Sequence, residues 1–297
     1  MFKKLEKNNA FTVMELLVSS VILLSIISGM MVFYSNSISY SHDLRVKEST
    51  DSQVRALVGL LGLDLRMIGN GVPFEQPNFQ IGDITLSDPL VTEPVEISSA
   101  TSTYIKFRMN ESGDTFMLTQ NFDPSTDSEV NIFLNSGSTF SVGDTVYITN
   151  STIAEDDGFY GVLSGVDLAN SRLTFDASTC VYSSGAVFNT SSILEKVDTI
   201  SLESLSDGSG VTRRVNDNPA VILSPNSTFS IEYVDLDNNV MTLPLSIDSL
   251  TSELSAIRIS VSVSSSSQAM KILAPGGGNY VSSSTYTFAL RNLNFNN

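Results

Sequence analysis

From Phe11 to Tyr34 the chain is an apolar run broken only by small hydroxylated residues and Gly29, with Glu15 as its sole charge. After Tyr34 it turns polar, yet Val54, Leu57, Val58, Leu61, Leu65 and Ile68 recur at three- and four-residue spacing, which is one apolar stripe of a helix. No proline interrupts residues 11–68, and Gly69, Asn70, Gly71 and Pro73 then supply a stop. The pattern predicts a single helix of about 58 residues, about 87 Å long, nearly three bilayer cores. Its first part, 11–34, is long enough to cross a membrane. Its second part, 35–69, has to lay its stripe on something, most simply on the domain that follows.

Beyond Pro73 the period changes from helical to alternating. Candidate strands are 103–109, 115–119, 131–134, 145–149, 159–166, 172–175, 186–189, 199–204, 211–215, 229–235, 240–247, 254–263 and 286–292, separated by Gly, Asn, Asp and Ser. Residues 235–239, "DLDNN", read as a hairpin turn. Residues 72–100 hold four prolines and read as a loop-rich connector, and 274–285, "APGGGNYVSSST", read as an exposed loop before the last strand. The predicted class is therefore α+β: a long helix packed on an antiparallel β-rich domain spanning 72–297.

Charge separates the two parts. Residues 1–68 hold 7 Lys/Arg and 6 Asp/Glu, whereas 69–297 hold 9 basic and 26 acidic residues, a balance of −17. Such a domain repels phosphate backbones and argues against nucleic acid as a partner. One cysteine, Cys180, excludes an internal disulfide. His42 is the only histidine, so neither a zinc site nor a Ser-His-Asp triad is legible. The acids of "DLDNN" have calcium-like alternation but lack the glycine and distal glutamate of the helical calcium loop, and "AEDDG" (154–158) reads as solvated. "GGG" (276–278) lacks the lysine and hydroxyl of a phosphate loop. No catalytic residue, metal site or cofactor is expected.

Ahead of the apolar run, "MFKKLEKNNA" carries Lys3, Lys4 and Lys7, which hold that end on the cytoplasmic side. A cleaved secretory signal places its small residue after the apolar core; here Ala10 stands before it. A carboxylate in hydrocarbon costs roughly 2.5–3.5 kcal/mol at mid-bilayer, so Glu15 asks for a reason.

Together, the basic leader, Ala10 and "FTVMELLVSSVILL" resemble the N-terminal signature of type IV pilins and pseudopilins. That resemblance implies a leader, 1–10, cut between Ala10 and Phe11 by a prepilin peptidase, and N-methylation of Phe11. It also implies an assembly role for Glu15, whose charge would face the amine of a neighbouring subunit in a lipid-free bundle. The family's usual Gly before the cut is Ala10 here, and the mid-helix proline and C-terminal disulfide loop of many major pilins are missing. Further stretches are similar to the PilW-type minor pilins: "LVGLLGLDLRMIGNG" (57–71), "FSVGDTVYIT" (140–149), "TRRVNDNPAVIL" (212–223), "FSIEYVDLDNN", "LSAIRISVSV" and "YTFALRNLN". J-type pseudopilins of type II secretion share this layout.

What the resemblance implies is a non-enzymatic, single-pass inner-membrane subunit with a periplasmic β-domain. It would join a pilus near the tip through other pilins and an inner-membrane assembly platform, in contact with lipid beforehand. A secretion pseudopilin and a tip adhesin are the competing readings. Asp64 and Arg66, at the helix end, are either solvated or form a helix-to-domain contact. Two residues apart on a helix they cannot face one another, so any clamp runs from each to the β-domain.

Overall fold

The computed structural model describes residues 12–71, 101–133, 140–149, 158–182, 185–216, 218–243, 254–269 and 278–290. It is an α+β protein: among the described residues one long helix, α1 (Val13–Arg66), is followed by thirteen strands. The chain divides into two compact units, Met1–Asp51 with Ser264–Val281, and Ser52–Val263 with Ser282–Asn297. Helix α1 and the strands β12 (Leu254–Ala269) and β13 (Gly278–Ala289) each contribute residues to both.

In the first unit, every α1 residue from Val13 to Ile38 is exposed. Polar side chains along this stretch bond back to their own helix: Ser20 Oγ donates to the Leu17 carbonyl (2.7 Å) and Ser25 Oγ to that of Val21 (2.9 Å). Such back-bonding satisfies hydroxyls where no water is at hand. Burial starts at Asp43 and continues through Val46 and Thr50. Here a strand meets the helix: Tyr280 Oη donates to Asp51 Oδ1 (3.4 Å), while the Tyr280 amide donates to the buried Ser265 Oγ (2.9 Å).

In the second unit, the apolar stripe predicted from spacing is buried at Val54, Leu57, Val58, Leu61, Leu65 and Ile68. It shares a core with Ile105, Phe107, Ile200, Leu202 and the inward row of β11 (Ser227–Asp235) and β12. That row follows from antiparallel register, Phe229 opposite Val261, Ile231 opposite Ile259 and Tyr233 opposite Ile257, each pair on the same face. The helix ends in a turn over residues 67–71, where Gly69 and Gly71 take φ of 73° and 70°. These are left-handed values that glycine adopts without steric cost.

The larger sheet is organised around β8 (Ile193–Ser204). Its first half lies between β4 (Thr145–Thr149) and β2 (Thr115–Met117), and its second half between β1 (Tyr104–Met109) and β9 (Gly210–Val215). Beyond them come β10 (Val221–Pro225) on one side, and β5 (Phe159–Asp167), β6 (Arg172–Phe175) and β3 (Glu129–Asn131) on the other. β7 (Val181–Tyr182) pairs with β5. All of these pairings are antiparallel. The first half of β8 serves a second core through Leu194, built on phenylalanines: Phe122 meets Phe159 edge-on at 5.1 Å, and Phe159 meets Phe175 at 4.7 Å. Between the halves, Val197 and Asp198 are buried in succession. Asn216, at φ 51°, ties this point down: its Nδ2 donates to Asp198 Oδ1 (2.9 Å) and its Oδ1 accepts from the Thr199 amide (2.8 Å).

Three expectations need correcting. Residues 278–285 are strand, not loop, because β13 begins at Gly278 and pairs with β12. Residues 186–189 form only a bridge, Phe188 exchanging two 2.8 Å backbone bonds with Phe122 inside the phenylalanine core. Of 240–247, the described part likewise forms a bridge, Val240 with Val234, and 244–250 lie outside the described residues. "DLDNN" is a turn in which Asp235 Oδ1 accepts from the Asn239 amide at 2.7 Å. The expected connector at 72–100 and most of "AEDDG" lie outside the described residues.

Candidate functional site: the helix start and the helix-to-domain junction

Ala10 and Phe11 lie outside the described residues. The next residue, Thr12, caps α1. Its carbonyl accepts the first helical bond from Leu16 (3.2 Å), and its Oγ1 accepts from the Glu15 amide (3.3 Å). Glu15 answers: its Oε2 accepts from the Thr12 amide (3.0 Å) and the Thr12 hydroxyl (3.1 Å). This is a reciprocal capping box, and its Thr-x-x-Glu spacing stands in the sequence, where Glu15 drew attention only as a lone charge in an apolar run and through the resemblance. The carboxylate therefore has local partners and lies where the helix dipole favours negative charge.

The apolar stretch that follows is the one described helix long and apolar enough to cross a membrane, and none of its most apolar 18-residue window is buried. Exposed leucine, isoleucine and methionine over this length are unfavourable in water. About 25 cal/mol per Å² of apolar surface is at stake, so lipid or other protein is the medium it fits.

At the far end of the helix, Asp64 and Arg66 each reach the β-domain. Arg213 of β9 grips Asp64 with a fork, Nε to Oδ2 at 2.8 Å and Nη2 to Oδ1 at 3.2 Å, and the same Nη2 reaches Glu111 Oε1 at 2.6 Å. Burial pulls the Arg213 pKa down, but bonds and charge from Asp64 and Glu111 outweigh it and hold the guanidinium above its ordinary value. The Arg66 guanidinium sits 5.5 Å from the centre of the Phe288 ring. That ring also lies against Gly62, where a Cβ would stand 2.7 Å from Phe288 Cε1, so the glycine sets the close approach of β13. The turn after α1 joins the sheet through backbone: Gly69 donates to the Arg108 carbonyl (2.9 Å) and Asn110 to that of Asn70 (2.7 Å).

Sequence reasoning missed two features here. Arg213, 149 residues from Asp64, carried no local sign of its partner. Glu195 stands beside Gly71 and Asn110; burial pushes its carboxyl pKa up, and a hydrogen bond with Asn110 offsets part of that. Elsewhere, His42 Nδ1 lies 3.6 Å from the buried Asp43 carboxylate. Half-burial and the Asp176 charge push the Cys180 thiol to about 11, where it is a poor nucleophile. Among the described residues no group of three or more His, Cys, Asp or Glu is placed to hold a metal. Comparison of the chain with family models, curated proteins and solved structures finds no match.

Proposed function

We propose that this chain is a minor pilin of the PilW type: a non-enzymatic subunit cut after Ala10, methylated on Phe11, held in the inner membrane by α1 and drawn through it into a type IV pilus. The observation that carries the reading is the wholly exposed helix from Val13 to Ile38, whose one charge, Glu15, stands at its start. Its β-domain would lie in the periplasm and meet other pilins, and its size and acidity suit a low-copy place near the tip. Glu15 would leave the Thr12 cap, or share it, to meet the terminal amine of a neighbour. In a low-dielectric bundle that pairing sets register more than it adds stability.

The test is incorporation. Glu15→Val, expressed beside the wild-type assembly genes, should insert in the membrane as the parent does and fall at least tenfold in sheared filaments. Incorporation at the parental level would refute the role given to Glu15. Loss of secretion with pili intact would assign the chain to a secretion pseudopilus, and loss of adhesion with filament number unchanged would make it a tip adhesin.

A further inference from the structure

The part of α1 in the second unit has two apolar faces, and the domain uses one. Val54, Leu57, Val58, Leu61 and Leu65 are buried. Ala56, Gly59, Leu60 and Leu63 recur at the same three- and four-residue spacing but face outward, with Leu60 46% and Leu63 63% exposed. At 100° per residue these four fall within about 100° of arc, opposite the buried stripe. Between Ala56 and Leu63 no residue is charged. A Cβ built on Gly59 meets nothing within 4 Å, so the stripe carries an open notch between its leucines.

We infer that this outer stripe is a parallel homotypic seam, on which a second copy of the chain packs the same four residues. The inference rests on the anchoring part of the proposed function. Copies held by the same helix stand parallel and level, so like residues meet like, and confinement raises their effective concentration. Ala56, Gly59 and Leu63 occupy the spacing of core positions in a heptad, with Leu60 beside them, and Leu60 or Leu63 of one copy fits the notch at Gly59 of the other. Charge selects this face. The chain beyond residue 68 carries a balance of −17, so copies approaching through the β-domain repel, whereas the stripe from Ala56 to Leu63 carries no charge of its own, with Arg55 and Arg66 only at its ends. About two helical turns make a small contact, which suits a reversible pair formed in the membrane.

The full chain is expressed with Cys180→Ser and Leu63→Cys, and membranes are oxidised before non-reducing electrophoresis. Parallel helices bring facing core positions within disulfide reach. The expected result is a disulfide dimer at least tenfold above that of a control cysteine at the exposed Leu168. Adding Gly59→Leu should reduce the dimer at least tenfold. Because that position is open in the single chain, the thermal midpoint should not fall. A Leu63→Cys dimer no stronger than the control, an unchanged dimer with Gly59→Leu, or an adduct with a different protein would each overturn the seam. Fractionation of the chain as a soluble protein would instead overturn the anchor, a result read separately from the cross-link.

Discussion

Replacing Asp64 by alanine tests whether the helix is clamped to the β-domain by charge as well as by its apolar stripe. The carboxylate receives two bonds from Arg213, and the two side chains are 12% and 19% exposed, so water screens them less than a surface pair. Removing one partner of a buried pair costs about 3–5 kcal/mol when the other is left alone. Arg213 keeps its bond to Glu111, which reduces the expected loss to about 2 kcal/mol. At about 2–4 °C per kcal/mol for a domain of this size, the midpoint should fall by about 4–8 °C. The assay is thermal unfolding of the full chain in detergent, in a double-mutant cycle with Arg213→Met. The coupling energy should be about 1–2 kcal/mol. A loss below about 0.5 kcal/mol for Asp64→Ala would show an ordinary surface pair and refute the clamp.

Three further substitutions read other parts of the fold by the same assay. The Glu195 carboxyl is held above its ordinary pKa, so it stabilises the fold below its unfolded pKa and that stability is lost as pH rises through the folded value. Glu195→Gln should therefore raise the midpoint at pH 7 and leave it unchanged near pH 3; destabilisation at pH 7 would contradict this. Tyr233 is 1% exposed and its hydroxyl has no hydrogen-bond partner among the described residues, so Tyr233→Phe should stabilise by about 1 kcal/mol, and a loss of that size would reveal a partner. Gly71→Ala puts a Cβ at positive φ, 2.8 Å from Asn110 Cβ and 2.9 Å from Glu195 Oε2, and should cost about 2 kcal/mol or more; a neutral result would refute the turn geometry.

The helix was legible because its two signals are local: an unbroken apolar run, then leucines and valines at helical spacing up to a glycine stop. Strands such as β4 and β6 were legible because alternation and turn residues bound them closely, and both match their predicted limits. The rest depended on partners distant in sequence. Gly278–Ser284 looked like loop because serine and glycine are poor strand formers, yet pairing with β12 makes it strand, an override of composition by tertiary context. The first half of β8 was missed because Glu195 and Lys196 spoil its apolar pattern. Lys196 is tolerated there by pairing with Asp144 at 3.0 Å, and Glu195 by its bond with Asn110. Neither β7, two residues long, nor β10, with two exposed apolar residues and a proline, carried a pattern to find. At the candidate site, Glu15 and Asp64 were found from sequence, but Thr12 and Arg213, the residues that hold them, were not.

The central claim is that α1 is a processed, assembly-competent pilin helix, and the mature N-terminus tests it most directly. Intact-mass and peptide mass spectrometry of the protein purified from membranes should find a chain starting at Phe11 with one added methyl group on its amine. A chain still starting at Met1, or one cut beyond residue 30, would contradict the account.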